Sequence, residues 1–410
     1  MALIEVSGVT KIFGRNPAAA LAELRAGKSR DALLAESGHS VALDDVSLSV
    51  EAGSIFVVMG LSGSGKSTLI RHINRLIDPT AGKVVIDGVD LLALSIPDLV
   101  AFRRKRLSMV FQHFALLPHR TVLENVAYGL ELQGVRRRQR KAAAMEWIAA
   151  VGLSDYEKQY PAQLSGGMQQ RVGLARALCV DHDILLMDEA FSALDPLIRS
   201  QMQDLLMSLQ ARLRKTIVFI THDLDEALRL GDRIAILRDG RVVQTGTPVE
   251  ILMQPADDYV RAFVKDVNRS RVLTVETVMQ PPPLRLTDET LEQALAEMRR
   301  RGTDVGYVVA DDGYRGIVTE EAVRTAIAAR EPAQVSDLAV TVETVTPDAA
   351  IAAALPATLA SSIPVPVVTA EGSLEGVLSP ARVGEVLQPP PLEGVPEAEA
   401  TPTPHTPSRA

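Results

Sequence analysis

The segment Gly60-Leu61-Ser62-Gly63-Ser64-Gly65-Lys66-Ser67-Thr68 follows the apolar run Ile55-Phe56-Val57-Val58-Met59 and opens a helix-like stretch from Lys66 to Leu76. A buried strand, a glycine-rich turn and a helix in that order constrain the chain to a βα unit with its turn held open. Glycines there let successive backbone N–H groups converge on phosphate oxygens, and the helix adds the positive end of its dipole. Lys66 supplies a point charge for β- and γ-phosphates, and the Ser67 hydroxyl suits Mg²⁺. The expected ligand is a nucleoside triphosphate.

Around this unit, Val46, Leu48 and Val50 alternate as an early strand. Ile184–Met187 and Thr216–Thr221 read as further buried strands, with Ile198, Met202, Leu205, Leu209 and Leu213 at helical spacing between them. Strands alternating with helices predict an α/β fold with a parallel sheet under helices. The stretch from about Thr121 to Tyr160 reads as mainly helical, a subdomain inserted at about 113–165. Its basic run Arg136–Lys141 reads as a solvated helix face, and so does Arg103–Arg106.

The 410 residues allow two or three domains. A formal net charge of -8 argues against a nucleic-acid binder, which needs a basic surface to displace counterions. The single cysteine, Cys179, excludes an internal disulfide framework and fits a reducing compartment; within its helix-like run it reads as a small core thiol. The N-terminus carries no basic region followed by an apolar stretch, so no secretory signal is expected, and no window of about eighteen apolar residues predicts a membrane span. A membrane role must come through a partner.

Downstream, Ile184-Leu185-Leu186-Met187-Asp188-Glu189 sets two carboxylates at a strand end. Asp188 suits Mg²⁺, and Glu189 suits orienting or deprotonating an attacking water. Leu164-Ser165-Gly166-Gly167 offers a helix N-terminus with a hydroxyl and open backbone donors, or merely a structural cap. Taken alone, Gln112 after Met109-Val110-Phe111 is a polar surface residue, His222 after Thr216–Thr221 is a neighbour of a helix cap, and Asp195 in Ser192-Ala193-Leu194-Asp195 is a turn aspartate.

In this order, however, the elements resemble the ABC transporter ATPases over about residues 1–267. That resemblance implies a P-loop NTPase (RecA-like) core with a helical subdomain, binding ATP and Mg²⁺. It also implies a homodimer in which Ser165, Gly166 and Gly167 of one protomer reach the γ-phosphate held by the other. Gly60, Ser62, Gly63, Ser64, Gly65, Lys66, Ser67 and Thr68 then cradle the phosphates; Ser67, Gln112 and Asp188 hold the metal. Glu189, with Gln112 and His222, carries catalysis, and Asp195 shapes the interface. Phe13 falls where the family stacks an aromatic on adenine, although by itself it reads as core.

Two repeats follow. Tyr307–Gly313 with Gly316–Thr319, and Pro366–Gly372 with Gly376–Ser379, each read as a strand, tight turn and strand. A helix capped at Thr287 or Asp288 precedes the first, with Leu291, Ala294, Leu295 and Met298 on one face. These repeats resemble tandem cystathionine-β-synthase-type (CBS) modules, α+β in class, at 268–330 and 331–388; a Pro-rich tail at 389–410 is expected to be disordered. The aspartates that hold ribose in many CBS pairs are replaced by Ala322 and Arg382.

The run Met187–Arg199, the long connection from Asn16 to Ser40 and the CBS pair are similar to the glycine betaine/proline betaine importer subfamily. The resemblance implies an ATP-hydrolysing subunit at the cytoplasmic face of the inner membrane. Its implied partners are transmembrane permease subunits and, indirectly, a substrate-binding protein. Choline or carnitine import, or less closely a non-transport ABC ATPase, are the alternatives. An anionic membrane contact through Arg299-Arg300-Arg301 stands beside the reading of that run as a solvated helix end.

Overall fold

Two twelve-residue strands open the chain, β1 (Ala2–Phe13) and β2 (Ser40–Glu51), paired antiparallel with Phe13 opposite Ser40. The computed structural model describes residues 2–112, 115–330 and 334–388. The connection between the strands folds into two short helices, α1 (Pro17–Arg25) and α2 (Arg30–Ser37), capped by the Asn16 and Ser29 side chains. Ala20 and Leu33 pack with Ile12 and Val41, giving this hairpin a small core of its own.

All five residues of β3 (Ile55–Met59) are buried, because the strand has neighbours on both edges and cover on both faces. Each such Val, Ile or Phe side chain contributes about 1.5–3 kcal/mol of transfer free energy. The strand feeds α3 (Lys66–Ile73), which stops short of the expected Leu76. There Arg75 turns to φ +49° and donates to the carbonyls of Leu91 and Leu94, both at 2.8 Å. The strands β4 (Ala81–Ile86) and β5 (Val89–Asp90) complete the antiparallel sheet, in the order β2-β1-β4-β5.

The second sheet adds β6 (Leu107–Val110), β7 (Ile184–Asp188), β8 (Thr216–Thr221), β9 (Arg233–Arg238) and β10 (Arg241–Gly246) to β3. Its order is β10-β9-β3-β8-β7-β6, parallel throughout except for the β9–β10 hairpin. One core joins both sheets to α3, with Leu69, Ile70 and Ile73 packed among Ile4, Val6, Phe56, Leu186 and Val218. The helix α4 (Ile96–Arg106) leads into β6. Its basic end is not simply solvated: Arg103 donates to the carbonyls of Asn74 and Arg75, and Arg106 pairs with Asp87 and Asp183.

A second core gathers α5 (Val122–Val126), α6 (Tyr128–Leu132), α7 (Arg137–Ala150) and α8 (Gly166–Cys179) around Val122, Val126, Ile148, Val172 and the buried Cys179. Burial pushes the Cys179 thiol up to about 11, so it is a neutral core group. Arg137 and Arg138 lie on an exposed face of α7, as read from the sequence. Two more helices, α9 (Pro196–Leu213) and α10 (Leu224–Leu230), alternate with β7, β8 and β9.

The chain divides into two units. One comprises the residues up to Ala256 with Val267–Thr277 and Pro347–Ala354; the other comprises Asp257–Asp266, Val278–Thr346 and the described residues from Leu355. In the second, Val305–Ala310 and Gly313–Thr319 form one hairpin and Val365–Val368 and Leu374–Leu378 another. Tyr307, buried, donates its hydroxyl to the Pro364 carbonyl at 2.7 Å. The helix Leu291–Arg301 is capped by Thr290 rather than by Thr287 or Asp288. Only Thr290 has a glutamine, Gln293, three residues on to complete a reciprocal capping box. Among the described residues no helix is long and apolar enough to cross a membrane. The expected tail at 389–410 and His113, the first residue of the expected helical subdomain, lie outside the described residues.

Candidate active site

The carboxyl ends of β3, β8, β7 and β6 lie side by side, because these strands are parallel neighbours. Each is followed by a segment singled out in the sequence: Gly60–Thr68 after β3, His222 after β8, Asp188 and Glu189 at the end of β7, and Gln112 beyond β6. The edge where parallel strands end is where an α/β sheet presents its ligand-binding loops.

The glycine loop is held by its own geometry. A Cβ on Gly60 would lie 2.2 Å from the Leu237 carbonyl oxygen, and one on Gly65, at φ +104°, would lie 2.6 Å from the Ala42 carbonyl oxygen. Lys66 folds over the loop and donates to the carbonyls of Gly60 at 2.8 Å and Leu61 at 3.0 Å. Burial lowers the pKa of its ammonium, while Glu189 and Asp188 favour the charge. The Ser64 hydroxyl is buried without a hydrogen-bond partner among the described residues, an orphan polar atom of a kind that calls for a ligand.

Opposite the loop, Ser67 donates its hydroxyl to Asp188 at 2.9 Å. Burial raises the Asp188 carboxyl above its ordinary value, and the Ser67 bond, Arg71 and Lys66 oppose that rise. Glu189 takes φ +45°, a left-handed conformation that costs a residue other than glycine on the order of 1–3 kcal/mol. Its N–H donates to the Ile220 carbonyl at 3.1 Å, which ties the strained residue to β8. One carboxylate oxygen accepts from Gln112 Nε2 at 3.4 Å and from His222 Nδ1 at 3.2 Å; the other lies 3.8 Å from Lys66 Nζ. Residues 77 and 33 positions from Glu189 thus meet on one carboxylate.

Other expected site residues stand apart from this group. Ser165 caps α8, its hydroxyl accepting from the Met168 N–H at 3.4 Å, and Asp195 caps α9, accepting from the Ile198 N–H at 3.1 Å. The two caps adjoin, since a Cβ on Gly167 would lie 2.6 Å from Ile198 Cγ2. Among the described residues no hydrogen bond joins the Ser165–Gly167 tip to the chain's own phosphate loop. Phe13 is 42% exposed, with Lys11 Nζ 5.0 Å from its ring centroid. Sequence reading did not single out the Arg199–Asp223 ion pair at 3.1 Å, which fastens the segment after His222 to α9, nor Glu226, buried behind it on Gln203. Arg199 ends the run quoted for its likeness, and that was its only signal.

The oxygens of Ser67, Asp188 and Gln112 are hard donors of the kind that suits Mg²⁺. The loop's glycines, Lys66 and the start of α3 suit a polyphosphate.

An ABC transporter family model matches residues 43–192, and a CBS domain model matches residues 275–329. The glycine betaine/carnitine transport ATP-binding protein GbuA of Listeria monocytogenes is 55% identical over 310 residues, covering 75% of this chain and 78% of the relative. The glycine betaine/proline betaine transport system ATP-binding protein ProV of Escherichia coli is 50% identical over 79% of this chain and 82% of its own length. The solved dimeric structure of a bacterial ABC transporter cassette aligns over 60% of this chain and 98% of its own, at 34% identity and a TM-score of 0.51. The chain belongs to the ABC transporter family as an ATP-binding subunit, and it is an ATPase.

Proposed function

We propose that this ATPase energises import of glycine betaine, proline betaine or a related quaternary amine through a membrane permease, working from the cytoplasmic face of the inner membrane. The convergence of Gln112, His222 and Lys66 on Glu189 supports the ATPase half of this reading. The printed functions of the relatives support the cargo, because the ATPase subunit itself need not touch the solute.

In this reading Phe13 stacks on adenine, while Gly60, Ser62, Gly63, Ser64, Gly65 and Thr68 line the phosphates with backbone and hydroxyl donors. The Lys66 ammonium sets positive charge beside the transferred phosphoryl group. Ser67, Asp188 and Gln112 hold Mg²⁺, which neutralises charge on the phosphate oxygens when bound. Glu189 orients and deprotonates the attacking water, its carboxylate held in place by Gln112 and His222. His222 donates to Glu189 through Nδ1, so a simultaneous contact with the γ-phosphate through Nε2 calls for the imidazolium form.

Ser165, Gly166, Gly167 and Asp195 complete the site of a second copy, so ATP joins two protomers across a twofold seam. A groove between the end of α4 and the α6–α8 bundle, lined among others by Leu107, Phe111, Leu117 and Leu132, offers the permease a contact beside Gln112. The binding protein acts at a distance, delivering solute to the permease. The membrane contact through Arg299-Arg300-Arg301 is weakened. Glu297 pairs with Arg300 and Arg301, which bring its carboxyl down to about 2, and Glu320 pairs with Arg299.

Reconstitution with the permease and binding protein tests the whole reading. Glycine betaine is expected to stimulate ATP hydrolysis, and Glu189→Gln to lower turnover by about 10²–10⁴-fold while ATP still binds. Normal turnover in that variant removes Glu189 from its role, and stimulation by none of the quaternary amines removes the cargo.

A further inference from the structure

The groove at the end of α4 has a volume of about 390 Å³ and two walls of different origin. Leu107 and Met109 of β6, with the last turn of α4, form one; Leu132 and Gln133 at the end of α6, with Ala177 of α8, form the other. The first wall belongs to the sheet core and the second to the helical bundle, so the width of the groove depends on how the two are fastened. A Cβ on Gly129 of α6 would lie 2.3 Å from Val180 Cγ1, so that helix passes close over the chain leaving α8. Two residues further on, His182 lines the groove and is 9% exposed.

The imidazole of His182 ties three elements together. The Arg104 carbonyl belongs to the last turn of α4, where a helix leaves its carbonyls without intrahelical donors. His182 Nε2 lies 2.8 Å from that oxygen, and since a carbonyl only accepts, Nε2 carries the hydrogen and donates. Gln133 Nε2, 3.1 Å from the same ring nitrogen, donates to the same oxygen at 2.8 Å, so the ring and the end of α6 share one acceptor. On the other side, Nδ1 lies 2.9 Å from Ser108 Oγ of β6 and, in the neutral ring, accepts from that hydroxyl. Burial lowers the pKa of the ring from its ordinary 6.5, against the carbonyls of Arg104 and Leu107. The neighbouring Arg106–Asp183 ion pair also joins α4 to this segment, but water reaches both partners and it fastens weakly. The buried ring is the stronger tie.

We propose that His182 is a positioning residue for permease docking, its ring holding the ends of α4 and α6 at the spacing that receives a permease segment. The assignment rests on the reading of this groove as the permease contact. None of the ring's partners, Ser108, Arg104 and Gln133, is a residue of the nucleotide site. Without the ring, the Ser108 hydroxyl loses its acceptor, the Arg104 carbonyl loses a donor, and the end of α6 is free to shift against α4. A groove whose walls drift must be brought back into register at every docking, so affinity for the permease falls while hydrolysis by the free chain does not.

The test titrates the full chain onto the permease held in nanodiscs and reads the half-saturating concentration, alongside ATP affinity and ATP hydrolysis of the free chain. His182→Ala is expected to raise half-saturation about tenfold and to leave both properties of the free chain unchanged. His182→Gln, whose amide nitrogen can still donate to the Arg104 carbonyl, is expected to recover most of the affinity. Ser108→Ala, which removes only the partner of Nδ1, is expected to raise half-saturation by less. A parent-like value for His182→Ala, a loss that His182→Gln does not recover, or an equal loss of ATP affinity overturns the assignment. If His182→Ala does not fold, an unchanged value for Ser108→Ala overturns it instead. Leu132→Asp, which sets a charge in the groove, separates the two readings. If it weakens docking while His182→Ala does not, the groove remains the permease contact and only the role of His182 falls; if neither does, the groove reading itself fails.

Discussion

Individual side chains in this molecule carry their meaning through their neighbours. Glu226, 4% exposed, shows the point outside the reacting centre: burial raises its carboxyl above the ordinary 4.5, against bonds from Thr221 and Gln203. A raised carboxyl keeps its proton in the folded chain after the unfolded chain has released it. Stability from this group is therefore lost as pH climbs from about 4.5 through the raised value, and is level above it. Glu226→Gln should unfold at a higher urea concentration than the parent at neutral pH, with the advantage shrinking as pH falls toward 4.5; an advantage that does not vary with pH removes the buried carboxylate as its source. None of this was legible in the sequence, where Glu226 is one acidic residue of a helix start. Glu189 was legible, because it ends an apolar strand downstream of a glycine loop, but its left-handed backbone was not.

Elements were read with more success where burial alone dictates them. The runs Ile55–Met59 and Thr216–Thr221 are continuous apolar or β-branched strings because both faces of a central strand are covered, and their bounds agree with β3 and β8. Helix ends were harder: α3 stops where Arg75 reaches two distant carbonyls, a tertiary contact that no local pattern announces. The cap at Thr290 was missed although Gln293 three residues on signals it. The loop after β3 makes an expectation at this scale. Gly63 and Gly65 both hold positive φ, +81° and +104°, yet a Cβ on Gly63 meets nothing within 4 Å while one on Gly65 strikes a backbone oxygen. Gly63→Ala should cost about 1 kcal/mol of stability for its backbone alone. Gly65→Ala should cost about 2–3 kcal/mol more and weaken ATP binding at least tenfold. Thermal melts and nucleotide titrations of the two variants check this; equal losses would mean that the close approach to Ala42 is unimportant.

At the scale of the molecule, no hydrogen bond among the described residues joins the phosphate loop to the Ser165–Gly167 tip of the same chain, and on the proposed shared-site reading ATP is expected to draw a second copy into place. Trapped with ATP, the Glu189→Gln chain should sediment as a dimer and Ser165→Arg in that background as a monomer; a monomer in the first case, with the permease present, defeats the shared-site reading. The sequence foretold such sharing only through family likeness, since neither tip nor loop signals a missing half by composition. A different independence is built into the hairpin of α1 and α2. Its two stems, at Phe13 and Ser40, are joined as a cross-strand pair, and Ala20 and Leu33, buried between them in the sequence, pack on the strand ends. Provided those packed residues are kept, the rest of the stretch can lengthen or shorten at little entropic cost, since closure grows only slowly with loop length. The outward surface between the stems can thus diverge among descendants of this chain while the strand pairing that frames it is kept.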